Sequence, residues 1–282
     1  MKIYLLDINK NMTDAWQKYF DPFKEENIEI INEDFVTFMD KHPNIEAIVS
    51  PANSFGLMDG GYDKAITDYF GERIKKDVQE AIMIKWYGEQ PVGTSMTVPI
   101  TNRIITDKKC EKHGFVSKKY AILIHTPSMR TPEQITDNRI IYQCMRTTLI
   151  EAIRQEVDSI VIPAFGGLTG KVPFDIIAKM MFFAYKQIYN QPNEINWGYA
   201  LHIANELKRY NLMSKNGGNM ANKYTDYEEK LRPCCCGGKV MLNGGTYGYP
   251  TFKIECSRCG GIWNMGTYSP EEALKKWGEK TK

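Results

Sequence analysis

The chain has 282 residues, 43% hydrophobic and 25% charged, with a formal net charge of +2. That composition excludes wholesale disorder, a collagen-like repeat and a disulfide-dense mini-protein, and 36 basic against 34 acidic residues leave no chain-wide field for gripping nucleic acid or anionic lipid. No apolar run approaches the roughly 20 residues that cross a bilayer, and MKIYLLDINK carries charge too early for a signal peptide, so a cytoplasmic protein of two unequal domains is expected.

In chain order, KIYLLDI (2–8), IEIINEDF (28–35) and IEAIVSPAN (45–53) are apolar and β-branched enough for buried strands. DFVTFMDKH (34–42) opens a short helix with Asp34 placed as its cap, and residues 63–86 carry apolar side chains at helical spacings of three and four. KYAILIHT (119–126) and DSIVIPAF (158–165) are strands flanking a helix over about 138–157, and a further helix follows at 173–189. Strands alternating with helix-length segments predict a three-layer α/β domain with a mostly parallel sheet, ending near residue 190. Residues 191–228 begin with a short helix and turn into an Asn-, Gly- and Lys-rich linker. From 229 the composition shifts to Cys, Gly and short β-prone runs, closing with a helix that starts at Pro270 behind the cap Ser269.

Two glycine-rich loops each follow a buried strand and enter a helix. SPANSFGLMDGGYDKAI (50–66) offers Gly60 and Gly61, and PAFGGLTGKVPFD (163–175) offers Gly166, Gly167 and Gly170 with the Thr169 hydroxyl. Backbone amides in such loops and at helix N-termini hold anions, and two cradles on neighbouring strand ends suit a diphosphate. Neither the P-loop nor the dinucleotide fingerprint is present, which removes the usual sequence support for NTP hydrolysis and hydride transfer.

Over roughly residues 1–190 these segments resemble the macrodomain family, which binds ADP-ribose: the strand and Asp34, then VSPANSFGLMDGGYDKAI, KKYAILIHTPSMRTP and IPAFGGLTGKVPFDIIAKMMFFAY. NSFGLMDGG, GEQPVG, HTPSMRTPEQITDN and the spacing GxxxTGKVP are similar to a bacterial and phage subgroup. The resemblance implies that Asp34 accepts a hydrogen bond from the adenine amino group with Phe35 beside it, and that Asn53 contacts the distal ribose. It further implies that Ser50, Gly60, Gly61 and Tyr62 line one side of the ligand, and that Gly166, Gly167, Leu168, Thr169 and Gly170 wrap the diphosphate from the other. Asp63 falls where hydrolytic members carry an Asp that activates or positions water.

Catalysis by Asp63 and Asn53 is chemically sound, since cleavage at the distal ribose needs a held water and a group to orient or deprotonate it. Competing roles stay open: Asp63 as a first-turn helix residue favoured by the macrodipole, Asp34 as a cap, Asn53 as a turn former and Tyr62 as packing. Ser50 replaces the first Asn of the usual motif, Asp59 interrupts the glycine run, and Leu168 stands where relatives often have Gly. The expected function is therefore ADP-ribose binding with hydrolysis of ADP-ribosyl conjugates or of a small ADP-ribose derivative. The alternative is a non-catalytic reader or sponge of ADP-ribose or an NAD-derived signalling nucleotide, in phage counter-defence. His125 ends a buried strand and is expected to be structural, and Cys110 and Cys144 to be reduced thiols.

Five of the seven cysteines lie between 234 and 259. Cys256 and Cys259 form a C-x-x-C knuckle, and Cys234 with Cys236 supplies the other half, with Cys235 a rival ligand; in a reducing compartment this pattern points to structural zinc rather than disulfides. LRPCCCGG, ECSRCGG and EEALKKWGEK resemble the zinc ribbons of the restriction-alleviation (Lar-like) family, although the first knuckle is one residue short. Residues 229–282 carry nine Lys and Arg against five acidic residues, with Tyr247, Tyr249, Phe252 and Trp263 interleaved, a combination that admits a nucleic acid or protein partner.

Overall fold

The structure, a computed structural model, describes residues 1–21, 27–106 and 118–215, and beyond these residues 231, 233, 240–243, 253–256, 262–264 and 270–280. The chain divides into two compact units, Met1–Ser214 and Lys215–Lys282.

The first unit is built on a six-stranded sheet of order β2-β1-β6-β3-β5-β4, formed by β1 (Lys2–Leu6), β2 (Ile28–Ile31), β3 (Ala47–Ser50), β4 (Met96–Thr106), β5 (Lys118–His125) and β6 (Ser159–Pro163). All neighbours pair in parallel except β4, which runs antiparallel to β5 at the edge. The reason lies in the side chains. Every residue of β3 is buried, as is most of β6, because helices cover both faces of the sheet, and such strands read as continuous apolar runs rather than alternating ones.

One face packs Ile3, Leu5, Val49, Ile124, Ile160 and Ile162 against α1 (Lys10–Phe20), α5 (Arg139–Arg154) and α6 (Phe174–Tyr189). Helix α7 (Trp197–Lys215) joins this layer through Ile203, Leu207 and Tyr210. The opposite face packs Leu6, Ile48, Leu123 and Val161 against α2 (Phe35–Lys41), α3 (Gly61–Phe70) and α4 (Glu72–Trp86). This is the three-layer α/β arrangement expected from the sequence.

One expectation is corrected, and one strand is added. The helical pattern over 63–86 is two helices, because Gly71 takes φ +86 and breaks the run between α3 and α4. The strand β4, whose Pro99 is tolerated at an edge where one face of backbone needs no partner, completes the sheet as its antiparallel member. Among the described residues no helix is long and apolar enough to cross a membrane.

The second unit contains an antiparallel sheet of β7 (Val240–Asn243), β8 (Lys253–Cys256) and β9 (Ile262–Asn264), with α8 (Pro270–Lys280). Its small core unites Val240, Leu242, Ile254, Ala273 and Trp277, and Trp263 lies 4.8 Å from Trp277 between ring centroids. Cys256 ends β8 opposite Val240. Cys234, Cys235, Cys236 and Cys259 lie outside the described residues, as does Ser269. Among the described residues no group of three or more His, Cys, Asp or Glu is placed to hold a metal ion.

Candidate functional site

Strands β3 and β6 are neighbours in the middle of the sheet, so the two glycine-rich loops leave it side by side at the carboxyl ends, where open α/β sheets bind ligands. Between the loops lies a cleft of about 270 Å³ lined by Asn53, Met58, Asp59, Gly60, Gly61, Tyr62 and Asp63 on one side and by Gly166, Leu168, Thr169 and Gly170 on the other. Met129 and Pro132 close one wall.

The cleft is rich in unused donors. Gly60, in extended backbone, caps α3 without a side-chain hydrogen bond, so the amides of the first turn have no intrahelical partner and face the ligand space with the positive end of the helix dipole. In the second loop the carbonyls of Gly166, Leu168 and Gly170 accept from Val172, Lys171 and Ile135 at 3.1, 3.2 and 2.9 Å. No amide of residues 166–170 donates among the described residues. The loop thus turns its carbonyls to the protein and leaves its N–H groups for an anion. Gly166 at φ +77 and Gly170, whose added Cβ would sit 2.6 Å from the Gly166 carbonyl oxygen, make that inversion possible.

Asp63 stands on the first turn of α3, half-buried, and its Oδ1 accepts from the hydroxyl of the fully buried Ser50 at 2.7 Å. Burial, together with the nearby Asp59 carboxylate, pushes the Asp63 carboxyl up to about 7, and the Ser50 hydroxyl partly opposes that rise. Asn53 is 8% exposed, and its Oδ1 accepts from the amides of Phe55 and Leu57 at 3.0 and 3.4 Å. Asn53 is therefore a turn former as well as a cleft residue. Its loop is fastened to the segment after β5 by a parallel bridge between Asn53 and Met129, and by the Ser54 amide donating to the Met129 and Arg130 carbonyls.

Tyr62 lines the cleft and packs edge-on against Phe35 with centroids 5.2 Å apart, while its buried hydroxyl has no hydrogen-bond partner among the described residues. Phe35 is 4% exposed and belongs to the core behind the wall. Asp34 caps α2: its Oδ1 accepts from the Thr37 amide at 3.0 Å and its Oδ2 from the Thr37 hydroxyl at 2.6 Å, bonds that hold its carboxyl below its ordinary range. Asp34, Phe35, Ser50 and Gly167 do not line the cleft, although the sequence groups them with residues that do. Leu168, by contrast, is 77% exposed at the mouth.

His125 is fully buried, its Nδ1 bonded to the Gln90 side-chain oxygen at 2.7 Å, and burial pushes it down to about 3, so it stays neutral in the scaffold. Cys144 is buried on α5, with its thiol pushed up by burial. Sequence reasoning assigned no role to Met58, Met129, Pro132 or Gln90. The segments GEQPVG and HTPSMRTP signalled three of them, but nothing in those strings says that a Met and a Pro become a wall.

The macro domain family model matches residues 49–181, which span both loops and the strands that carry them. That match covers just under half of the chain. A protein of Aquifex aeolicus (strain VF5) of uncharacterized role is 29% identical over 136 residues, 48% of this chain and 70% of its own. Among solved structures, the chain is similar to the Oceanobacillus iheyensis macrodomain with MES bound, at TM-score 0.42 and 20% identity over 53% of this chain and 72% of that one. It is also similar to the macrodomain of Mycobacterium tuberculosis DarG, at TM-score 0.40 and 15% identity over 51% and 84% of the two chains.

Proposed function

We propose that the macro domain binds ADP-ribose in this cleft and hydrolyses the bond that joins an attached group to the distal ribose. The observation that supports the reading most directly is the Asp63 carboxylate. One oxygen is held by Ser50, and the residue stands in a cleft whose two sides otherwise present unpaired amides. The diphosphate takes the amides of residues 166–170 and of the first turn of α3, an arrangement that needs no Lys or Arg. Asn53 and Gly60 to Tyr62 meet the distal ribose. Asp63 accepts a proton from water as its oxygen attacks the ribose carbon, the bond to the attached group breaks, and the leaving oxygen takes the proton. A carboxyl titrating at about 7 is matched to both halves of that transfer near neutrality.

Purified protein incubated with mono-ADP-ribosylated protein, DNA and small ADP-ribose derivatives is expected to release free ADP-ribose. Asp63→Ala is expected to lower release by at least about 100-fold while calorimetry still shows ADP-ribose binding. Binding without release from any substrate leaves the reader or sponge of ADP-ribose or an NAD-derived signal, a reading favoured by Leu168 and Ser50. Absence of binding sinks both.

For residues 229–282 the reading is a structural zinc ribbon with Cys234, Cys236, Cys256 and Cys259 as ligands, supported by the knuckle spacing and by the three-stranded sheet with its closing helix. Metal analysis of the purified full chain is expected to find one zinc per molecule, lost in Cys259→Ser. A basic, aromatic-bearing ribbon suits a nucleic acid or protein partner, and the resemblance of NSFGLMDGG and HTPSMRTPEQITDN to a bacterial and phage subgroup suits counter-defence.

A further inference from the structure

We propose that Ser50 is a positioning residue for this reaction: its hydroxyl clamps one carboxylate oxygen of Asp63 and so leaves Oδ2 as the oxygen that receives the water proton. The proposal rests on the reading of Asp63 as the base.

Ser50 closes β3 in the middle of the sheet, paired in register with His125, and none of its surface is exposed. It therefore cannot touch a ligand in the cleft, and it acts there only through the 2.7 Å bond to Asp63 Oδ1. No other hydrogen bond to the Asp63 carboxylate exists among the described residues. The Asp63 carboxylate stands on the first turn of α3, with Gly60 and Gly61 on its N-terminal side, and the strand-borne hydroxyl supplies a fixed point for it. The buried donor also favours the ionised carboxylate, against burial and against Asp59 on the adjoining loop. The other titratable groups around the pair are Tyr62, whose unpartnered phenol lies in the field of Asp63 and of Asp7 at the end of β1, and His125, which is neutral. None of these donates to the carboxylate, so the Ser50 hydroxyl is the group whose removal reports on the clamp.

The test compares full-length wild type, Ser50→Ala and Ser50→Thr. Loss of a hydrogen bond to a charged group predicts that Ser50→Ala lowers kcat by about 10- to 100-fold with KM changed less than about threefold, and that the pH at which kcat is half-maximal moves upward. Ser50→Thr, which keeps the hydroxyl, restores both. A second readout needs no turnover: the Asp63 carboxyl followed by carbon NMR during a pH titration is expected to titrate at higher pH in Ser50→Ala than in wild type. An unmoved NMR midpoint in a Ser50→Ala protein that unfolds at the wild-type temperature overturns the clamp. A moved midpoint with unchanged kcat keeps the contact and overturns its part in the reaction, whereas a wild type without turnover on any substrate removes the base reading beneath it.

Discussion

Gly60 and Gly170 are both glycines of the cleft, yet a methyl group meets opposite surroundings at the two. At Gly60, with ordinary extended backbone, it touches nothing within 4 Å, and this residue lines the cleft. At Gly170 it meets the Gly166 carbonyl oxygen at 2.6 Å and the Ile135 methyl at 2.8 Å. Gly60→Ala is expected to unfold within a few degrees of wild type yet bind ADP-ribose about tenfold more weakly, and Gly170→Ala to lose thermal stability and binding together. Calorimetry paired with thermal unfolding reads both. Asp63 carries a second consequence at this scale. Its folded carboxyl titrates at about 7, above its value of 3.8 in the unfolded chain, so the native state binds more protons and stability contributed by this group falls as pH rises from about 4 through 7. Asp63→Asn should therefore melt higher than wild type at pH 8, with the gap closing towards pH 4; equal melting temperatures at pH 8 would falsify the buried-carboxylate account. Sequence alone named both glycine loops, because spacing after a strand is a local signal, and the resemblance to the macrodomain family added Asp63 and Asn53. It could not show that Ser50 is sealed beneath the cleft and Leu168 held out at its mouth, since which side of a strand or loop faces the ligand is decided by packing.

Among the elements, the five parallel strands were legible and the antiparallel edge strand was not. The strands β1, β3, β5 and β6 are short apolar runs, and burial on both faces demands that. Strand β4 reads MTVPITNRIIT, with a proline, an arginine and exposed positions, because an edge strand is half solvated; only its antiparallel pairing with β5 identifies it. The break at Gly71 was hidden for a similar reason, as apolar spacing continues across it into α4. Helix α7 shows how much a weakly amphipathic segment gains from its neighbours. Ile203, Leu207 and Tyr210 pack on the core beside Phe183, and the Asn211 side chain accepts from the Asn138 amide at 3.0 Å at the start of α5. A chain ended at residue 190 is expected to be about 2–4 kcal/mol less stable to urea than one ended at residue 215, from the apolar area uncovered. Equal midpoints would show α7 to be dispensable.

At the scale of the molecule, the near-neutral charge and the chemistry of the cleft agree. Among the described residues the lining contains two carboxylates, Asp59 and Asp63, and no Lys or Arg, so an anion held there is held by fixed dipoles rather than by a counter-ion field. ADP-ribose affinity is accordingly expected to change less than about threefold between low and moderate salt, whereas a site built on exposed cations would weaken steeply. Titration calorimetry at two salt concentrations distinguishes them.

The fastening of the first loop to the segment after β5 gives the cleft two unlike jaws. Residues 52 to 54 are anchored to residues 128 to 130 by three backbone hydrogen bonds, so the jaw that carries Asp63 is an anvil set in the sheet. The opposite jaw hangs from glycines and ends in an uncovered leucine. On the function proposed above, adjustment to the bound diphosphate falls to that jaw, and residues 166–170 can vary without disturbing the placement of Asp63.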